Sequence, residues 1–159
     1  MIPRLLVEAR PGAGKTTAFR RLAELLPEAG GFTTEEIRQG GRRVGFAIES
    51  LDGERATFAH RSLSDPPRVG RYGVDLEAFE RVALPSLRAE GVVLIDELGK
   101  MELFSERFRE AVLRLFDSDV TLAATVHTAR HPSPSAKARR RVRIPFRSST
   151  TWPGRVRLC

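Results

Sequence analysis

Residues 9–16 read Ala-Arg-Pro-Gly-Ala-Gly-Lys-Thr, followed by Thr17. The spacing is that of the phosphate-binding loop G-x-x-x-x-G-K-[ST], with Ala9 in place of the first glycine. Such a loop works through its backbone. Gly12 and Gly14 let the segment Arg10, Pro11, Gly12, Ala13, Gly14 curl so that successive amides converge on one anion. A helix opening after Gly14 adds its partial positive charge. Lys15 can reach the β- and γ-phosphates, and the Thr16 hydroxyl can ligate Mg²⁺. If position 9 requires a positive φ, Ala9 costs about 1 kcal/mol relative to glycine.

A second constellation lies at Val92-Val93-Leu94-Ile95-Asp96-Glu97. A continuous apolar run of this length reads as a central parallel strand, and it ends in two carboxylates. Asp96 can hold Mg²⁺, directly or through water. Glu97 can orient or deprotonate an attacking water. The chain uses 24 arginines and three lysines, two of which, Lys15 and Lys100, fall in or beside these motifs. Lys15 suits a slender point charge, whereas Lys100 reads equally as a solvated residue at a helix start. Arg38, Arg42, Arg43 and Arg71 sit in Gly-rich turns, where each could serve as an internal arginine finger or as a surface residue. His60, His127 and His131 lack metal-ligand spacing and read as structural or exposed.

The elements that must position these groups follow from periodicity. Residues 5–8 form a short buried strand. Phe19, Leu22, Ala23 and Leu26 make a helical stripe that Pro27 stops. Residues 31–60 read as a β-meander inserted after this helix, with turns at Gly40-Gly41 and Leu51–Glu54. The stretch 62–73, with Pro66-Pro67 and two glycines, reads as loop. Asp75 caps a helix bearing Leu76, Phe79, Val82 and Ala83, which Pro85 kinks or restarts. Phe104, Phe108, Ala111, Val112 and Leu115 form the next helical stripe, and Val120–Val126 is a further strand. Strands alternating with helices imply a parallel sheet covered on both faces.

Composition bounds the remaining choices. With 159 residues, 41% of them apolar, the chain suits one soluble domain. No apolar run reaches the eighteen or so residues that span a bilayer. The N-terminus lacks a signal-peptide layout, so a cytoplasmic location and no membrane partner are expected. The lone Cys159 excludes an intramolecular disulfide. The net charge of +7 is unevenly placed: residues 1–119 hold 18 Lys and Arg with all 20 acids, whereas residues 120–159 hold nine basic residues and no acid. Nucleic acid is therefore a candidate partner only through the basic tail.

Four stretches converge on one family: the phosphate loop, Gly31–Phe46 with its Thr-Glu-Glu-Ile-Arg-Gln-Gly-Gly-Arg-Arg run, Arg68–Asp75, and Ile95–Phe104. Together they resemble the cancer-related, or THEP-type, nucleoside triphosphatases from about residue 4 to 128. The resemblance implies a RecA-like P-loop NTPase fold: a mostly parallel α/β sheet flanked by helices, with an inserted β-meander. It also implies Mg²⁺-dependent hydrolysis of ATP, GTP and other nucleoside triphosphates to the diphosphate and phosphate. By the same pattern Leu94, Ile95, Asp96, Glu97, Leu98, Gly99, Lys100 and Met101 line the nucleotide site with residues 9–17, and Arg38 gains a catalytic candidacy beside Glu97 and Lys15. The domain is expected over 1–128. The basic Pro/Ser/Arg-rich segment 129–159 departs from the family; one last strand at 139–144 and disordered chain beyond it are the expectation there.

Two rivals share these residues. A nucleotide or nucleoside kinase would use the same loop and pass the phosphoryl group to a bound acceptor. A nucleic-acid-binding module would use the nucleotide as a switch and the tail for affinity. The tail has no apolar periodicity with which to dock, and every residue assigned to the chemistry lies between 9 and 101. Cutting the chain after Arg147 is therefore expected to leave phosphate release within about tenfold and the melting temperature nearly unchanged. Loss of either would mean that the segment around Trp152 packs on the core, where removal of a buried large side chain costs several kcal/mol.

Overall fold

The structure, a computed structural model, describes residues 4–9, 12–65 and 67–127. Arg10, Pro11, the expected strand at 139–144 and the tail lie outside them. Eight strands of the described residues form one sheet in the order β1-β8-β7-β2-β3-β4-β6-β5. They are β1 (Arg4–Ala9), β2 (Gly30–Gln39), β3 (Arg42–Ser50), β4 (Arg55–His60), β5 (Arg68–Val69), β6 (Tyr72–Val74), β7 (Val92–Leu98) and β8 (Thr121–His127). Strands β1, β8, β7 and the start of β2 are parallel. From β2 onward every pairing is antiparallel. The meander is thus continuous with the parallel half, because β2 belongs to both. The stretch read as loop at 62–73 contains the small hairpin β5–β6; its strands are two and three residues long, too short for periodicity to mark.

Among the described residues three α-helices cover the sheet: α1 (Lys15–Leu25), α2 (Leu76–Ser86) and α3 (Glu106–Asp117). Strand alternation sends Leu94 and Ala123 to the α1 face, with Phe19, while Val93, Ile95, Leu122 and Ala124 join the α2–α3 core. That core is aromatic: the ring of Phe79 lies 5.8 Å from Phe32, 5.4 Å from Phe58 and 5.0 Å from Phe108. Asp75 caps α2 by accepting from the Ala78 N–H at 2.9 Å, and Ser105 caps α3 by accepting from the Phe108 N–H at 3.0 Å. Pro85 sits in the last turn of α2, and the helix ends one residue later. Phe104, expected on the α3 stripe, falls instead in a 3-10 turn (Glu102–Phe104) and is 41% exposed. The buried Arg4 guanidinium of β1 donates to the carbonyls of Phe116, Ser118 and Val120, satisfying the C-terminal end of α3. None of the described helices is long and apolar enough to cross a membrane.

The junction of the two halves rests on Gly31. It has φ +114°, and a Cβ there would lie 1.9 Å from the Leu94 carbonyl oxygen. No side chain fits while Gly31 pairs with Leu94. Gly31→Ala is therefore expected to cost roughly 3 kcal/mol or more, combining left-handed strain with displacement of β7. Urea unfolding measures this; a loss under about 1 kcal/mol would show that β2 can pair elsewhere.

Candidate active site

The registers bring three strand ends to one edge. Ala9 of β1 pairs with His127 of β8, and Val126 of β8 pairs with Leu98 of β7. Hence the loop after β1 and the carboxylates at the end of β7 share the carboxyl edge of the parallel sheet, two strand spacings or roughly 10 Å apart. Ala9 lies in extended β1, so the strain expected of a missing glycine does not arise there. Gly12 and Gly14 have φ +79° and +83°, and open space surrounds the position of a Cβ at each. Their requirement is conformational rather than steric. Gly14 occupies the N-cap of α1 with no side-chain cap, and the first turn carries no acid. The first amides of a helix have no partner within the helix itself and point toward its N-terminal end. Lys15 and Thr16 are half-buried, while Ala13 and Thr17 are exposed.

Asp96 is 1% exposed. Its Oδ1 accepts from the Thr125 hydroxyl at 2.6 Å. Its Oδ2 is a buried side-chain oxygen with no hydrogen-bond partner among the described residues. A buried carboxylate oxygen left unsatisfied is costly, and a cation is one partner that removes the cost. Hard oxygen donors from Asp96 and Thr16 suit a small divalent ion. Thr125 lies two residues beyond Ala123, on the strand face that carries α1, and Asp96 stands in the same relation to Leu94. At this point the β7–β8 register slips between Ile95 and Leu98, so β7 carries one residue more than β8. Such a bulge re-aims side chains at a strand end. Leu94 and Ile95 are wholly buried, Glu97, Leu98 and Met101 half-buried, Gly99 buried and Lys100 exposed.

Two residues here were not singled out by spacing. Thr125 is the one polar side chain in the apolar stretch 122–126 of β8, which is a usable signal. Glu102 is 5% exposed, in the turn after β7. Burial pushes its carboxyl up to about 8; the nearby Glu97 and Asp96 carboxyls add to the shift, and the backbone N–H groups of Glu102 and Gly99 oppose it.

Arg38 is held elsewhere. In the β2–β3 hairpin it donates to Glu36 at 2.5 Å and 3.0 Å and to the Gly41 carbonyl at 3.1 Å. By register with β7 it lies about four residues, roughly 13 Å, farther along the strand direction than Glu97. Arg43 donates to Glu36 at 2.6 Å and to the Tyr72 hydroxyl at 3.1 Å, and packs over the Phe46 and Tyr72 rings. Partial burial opposes ionisation of Glu36, but hydrogen bonds from Arg43 and Arg38 outweigh it and hold its carboxyl below the usual range. Arg42 and Arg71 are exposed at neighbouring turns. Glu35 is similarly lowered by Arg55 and Arg20, and the Arg20 contact at 2.6 Å ties α1 to β2.

The Glu102 carboxyl makes stability depend on pH. Held above its unfolded value of about 4.5, it keeps its proton in the folded chain after the unfolded chain has lost it. Stability therefore falls as pH rises from there toward about 8, by up to about 1.4 kcal/mol per pH unit. The Gln variant carries no such proton. Relative to Glu102→Gln, the melting temperature of the wild type should decline between about pH 5 and pH 8.5; parallel profiles would refute the shift.

The family model described as NTPase matches residues 4–145. The nucleoside-triphosphatase THEP1 of Thermotoga petrophila is 45% identical over 133 residues, covering 81% of this chain and 74% of that protein. The human cancer-related nucleoside-triphosphatase is 44% identical over 129 residues, covering 70% and 68%. The crystal structure of THEP1 from Aquifex aeolicus superposes with a TM-score of 0.72 at 37% identity, covering 81% of this chain and 80% of that one. Shared sequence over most of both chains and a shared P-loop fold mean that this chain belongs to the THEP-type nucleoside-triphosphatase family.

Proposed function

We propose that the protein hydrolyses nucleoside triphosphates, ATP and GTP among them, to the diphosphate and phosphate with Mg²⁺ bound. The observation that carries this reading is the buried Asp96 Oδ2, without a hydrogen-bond partner among the described residues, at the same sheet edge as the Gly12–Thr16 loop. Backbone amides of the loop and the Lys15 ammonium hold the β- and γ-phosphates. Thr16 and Asp96 hold the divalent ion, which when bound neutralises charge on the phosphate oxygens. Glu97 orients a water in line with the γ-phosphorus and takes its proton as the new P–O bond forms. The bond from the γ-phosphorus to the bridging oxygen breaks, and the diphosphate departs. Family relatives are named for hydrolysis rather than phosphoryl transfer, which supports water as the acceptor.

A phosphate-release assay across ATP, GTP, CTP and UTP, with and without Mg²⁺, tests the activity directly. No phosphate release from any of the four with the metal present would sink the reading. Glu97→Gln should lower kcat by about 10²–10⁴-fold while nucleotide affinity stays within about threefold, as loss of a general base does. An equal loss of affinity would instead make Glu97 a binding or structural residue.

A further inference from the structure

We propose that Glu102 is a positioning residue that fixes the Glu97 carboxylate at the end of β7. The inference rests on the hydrolytic role of Glu97 given above and adds a residue to it.

The 3-10 turn Glu102–Phe104 inverts the usual order of burial. Its carboxylate residue is 5% exposed, while its two large apolar residues, Leu103 and Phe104, are 39% and 41% exposed. Hydrophobic burial alone would turn these side chains the other way, since enclosing a carboxyl costs free energy and exposing Leu and Phe forfeits it. A local arrangement that opposes burial is characteristic of a site where geometry serves chemistry.

The place to which Glu102 turns identifies what it serves. A Cβ built on Gly99 would stand 2.6 Å from Glu102 Oε2 and 3.0 Å from Glu97 Oε1. Two carboxyl groups from opposite sides of the turn therefore converge on the space beside one glycine. Gly99 is not in the left-handed region. Its lack of a side chain is a matter of room: any Cβ would push one or both carboxyls away. The turn itself is closed by the Leu103 N–H donating to the Gly99 carbonyl at 3.1 Å. The raised carboxyl of Glu102 fits this arrangement, because a neutral group near Glu97 avoids repulsion between two carboxylates.

A double-mutant cycle in the full chain tests the coupling. The readouts are kcat from phosphate release, the dissociation constant of a fluorescent mant-ATP probe, and the melting temperature. Glu102→Ala should lower kcat at least tenfold with mant-ATP affinity within about threefold. Glu102→Gln, which keeps the shape and a neutral polar end, should recover kcat to within about threefold of the wild type. Adding Glu102→Ala to Glu97→Gln should lower kcat no further. Wild-type turnover in Glu102→Ala, affinity lost in proportion to rate, or multiplicative effects in the double variant would each overturn the inference. If Glu97→Gln alone retains turnover, the base assignment fails and carries this inference with it. That result differs from a multiplicative cycle, in which only the role of Glu102 falls. If Glu102→Ala does not fold, Glu102→Asp keeps the carboxyl but withdraws it from Gly99 by one methylene. The same tenfold loss with retained affinity is then expected, and unchanged kcat overturns the proposal.

Discussion

Val93, Leu94 and Ile95 of β7 are wholly buried, and each side chain in turn serves a different layer. Leu94 faces α1; Val93 and Ile95 face α2 and α3. Their backbones pair with β8 on one side and with β2 on the other. The helix that begins at the phosphate loop, the aromatic core and the antiparallel half are thus all registered against three consecutive residues. Asp96 is the next residue, so its place at the site follows from the packing of the strand before it. The hydrogen bond from Thr125 then fixes one carboxylate oxygen and leaves the other without a partner among the described residues.

Electrostatics connects the halves a second time. Arg20 of α1 meets Glu35 of β2, Glu35 also meets Arg55 of β4, and Arg55 meets Glu49 of β3. These pairs are partly exposed, and each alone contributes little. Their arrangement in series joins the helix behind the phosphate loop to three strands of the meander. A second group, Glu36 with Arg38 and Arg43, holds the hairpin tip in the same way. An arginine-rich surface is thereby largely neutralised by its own carboxylates, which agrees with the nearly neutral charge of residues 1–119.

Much of this was legible in the residues themselves. The glycine spacing of the loop, the apolar run ending in Asp96 and Glu97, and the stripes on α1, α2 and α3 each reflect a local requirement that sequence states directly. What was not legible depended on long-range register. The hairpin β5–β6 is too short to show alternation. The continuity of the meander with the parallel strands depends on Gly31 meeting Leu94, 63 positions away in a different motif. Glu102 was not marked out, because nothing in its neighbours announces that the turn buries it and exposes Leu103 and Phe104. The placement of Arg38 against Glu36 was likewise invisible, since the pairing is set by the hairpin and not by spacing.

The position of β1 has a consequence for how the molecule comes into being. Among the described strands its partner is β8, and Arg4 meets Leu122 across more than a hundred intervening residues. During synthesis the first strand therefore has no ladder to join until the last described strand has been made. The antiparallel strands and α2 can pair and pack with near neighbours much earlier. Long-range parallel pairings form slowly because the loop must close before any contact rewards it. The nucleotide loop hangs on that strand, so its place in the sheet waits on the last of the described strands. Until then its apolar residues Leu5, Leu6 and Val7 are without their place in the sheet, and a nascent chain is most exposed to misassembly in that interval.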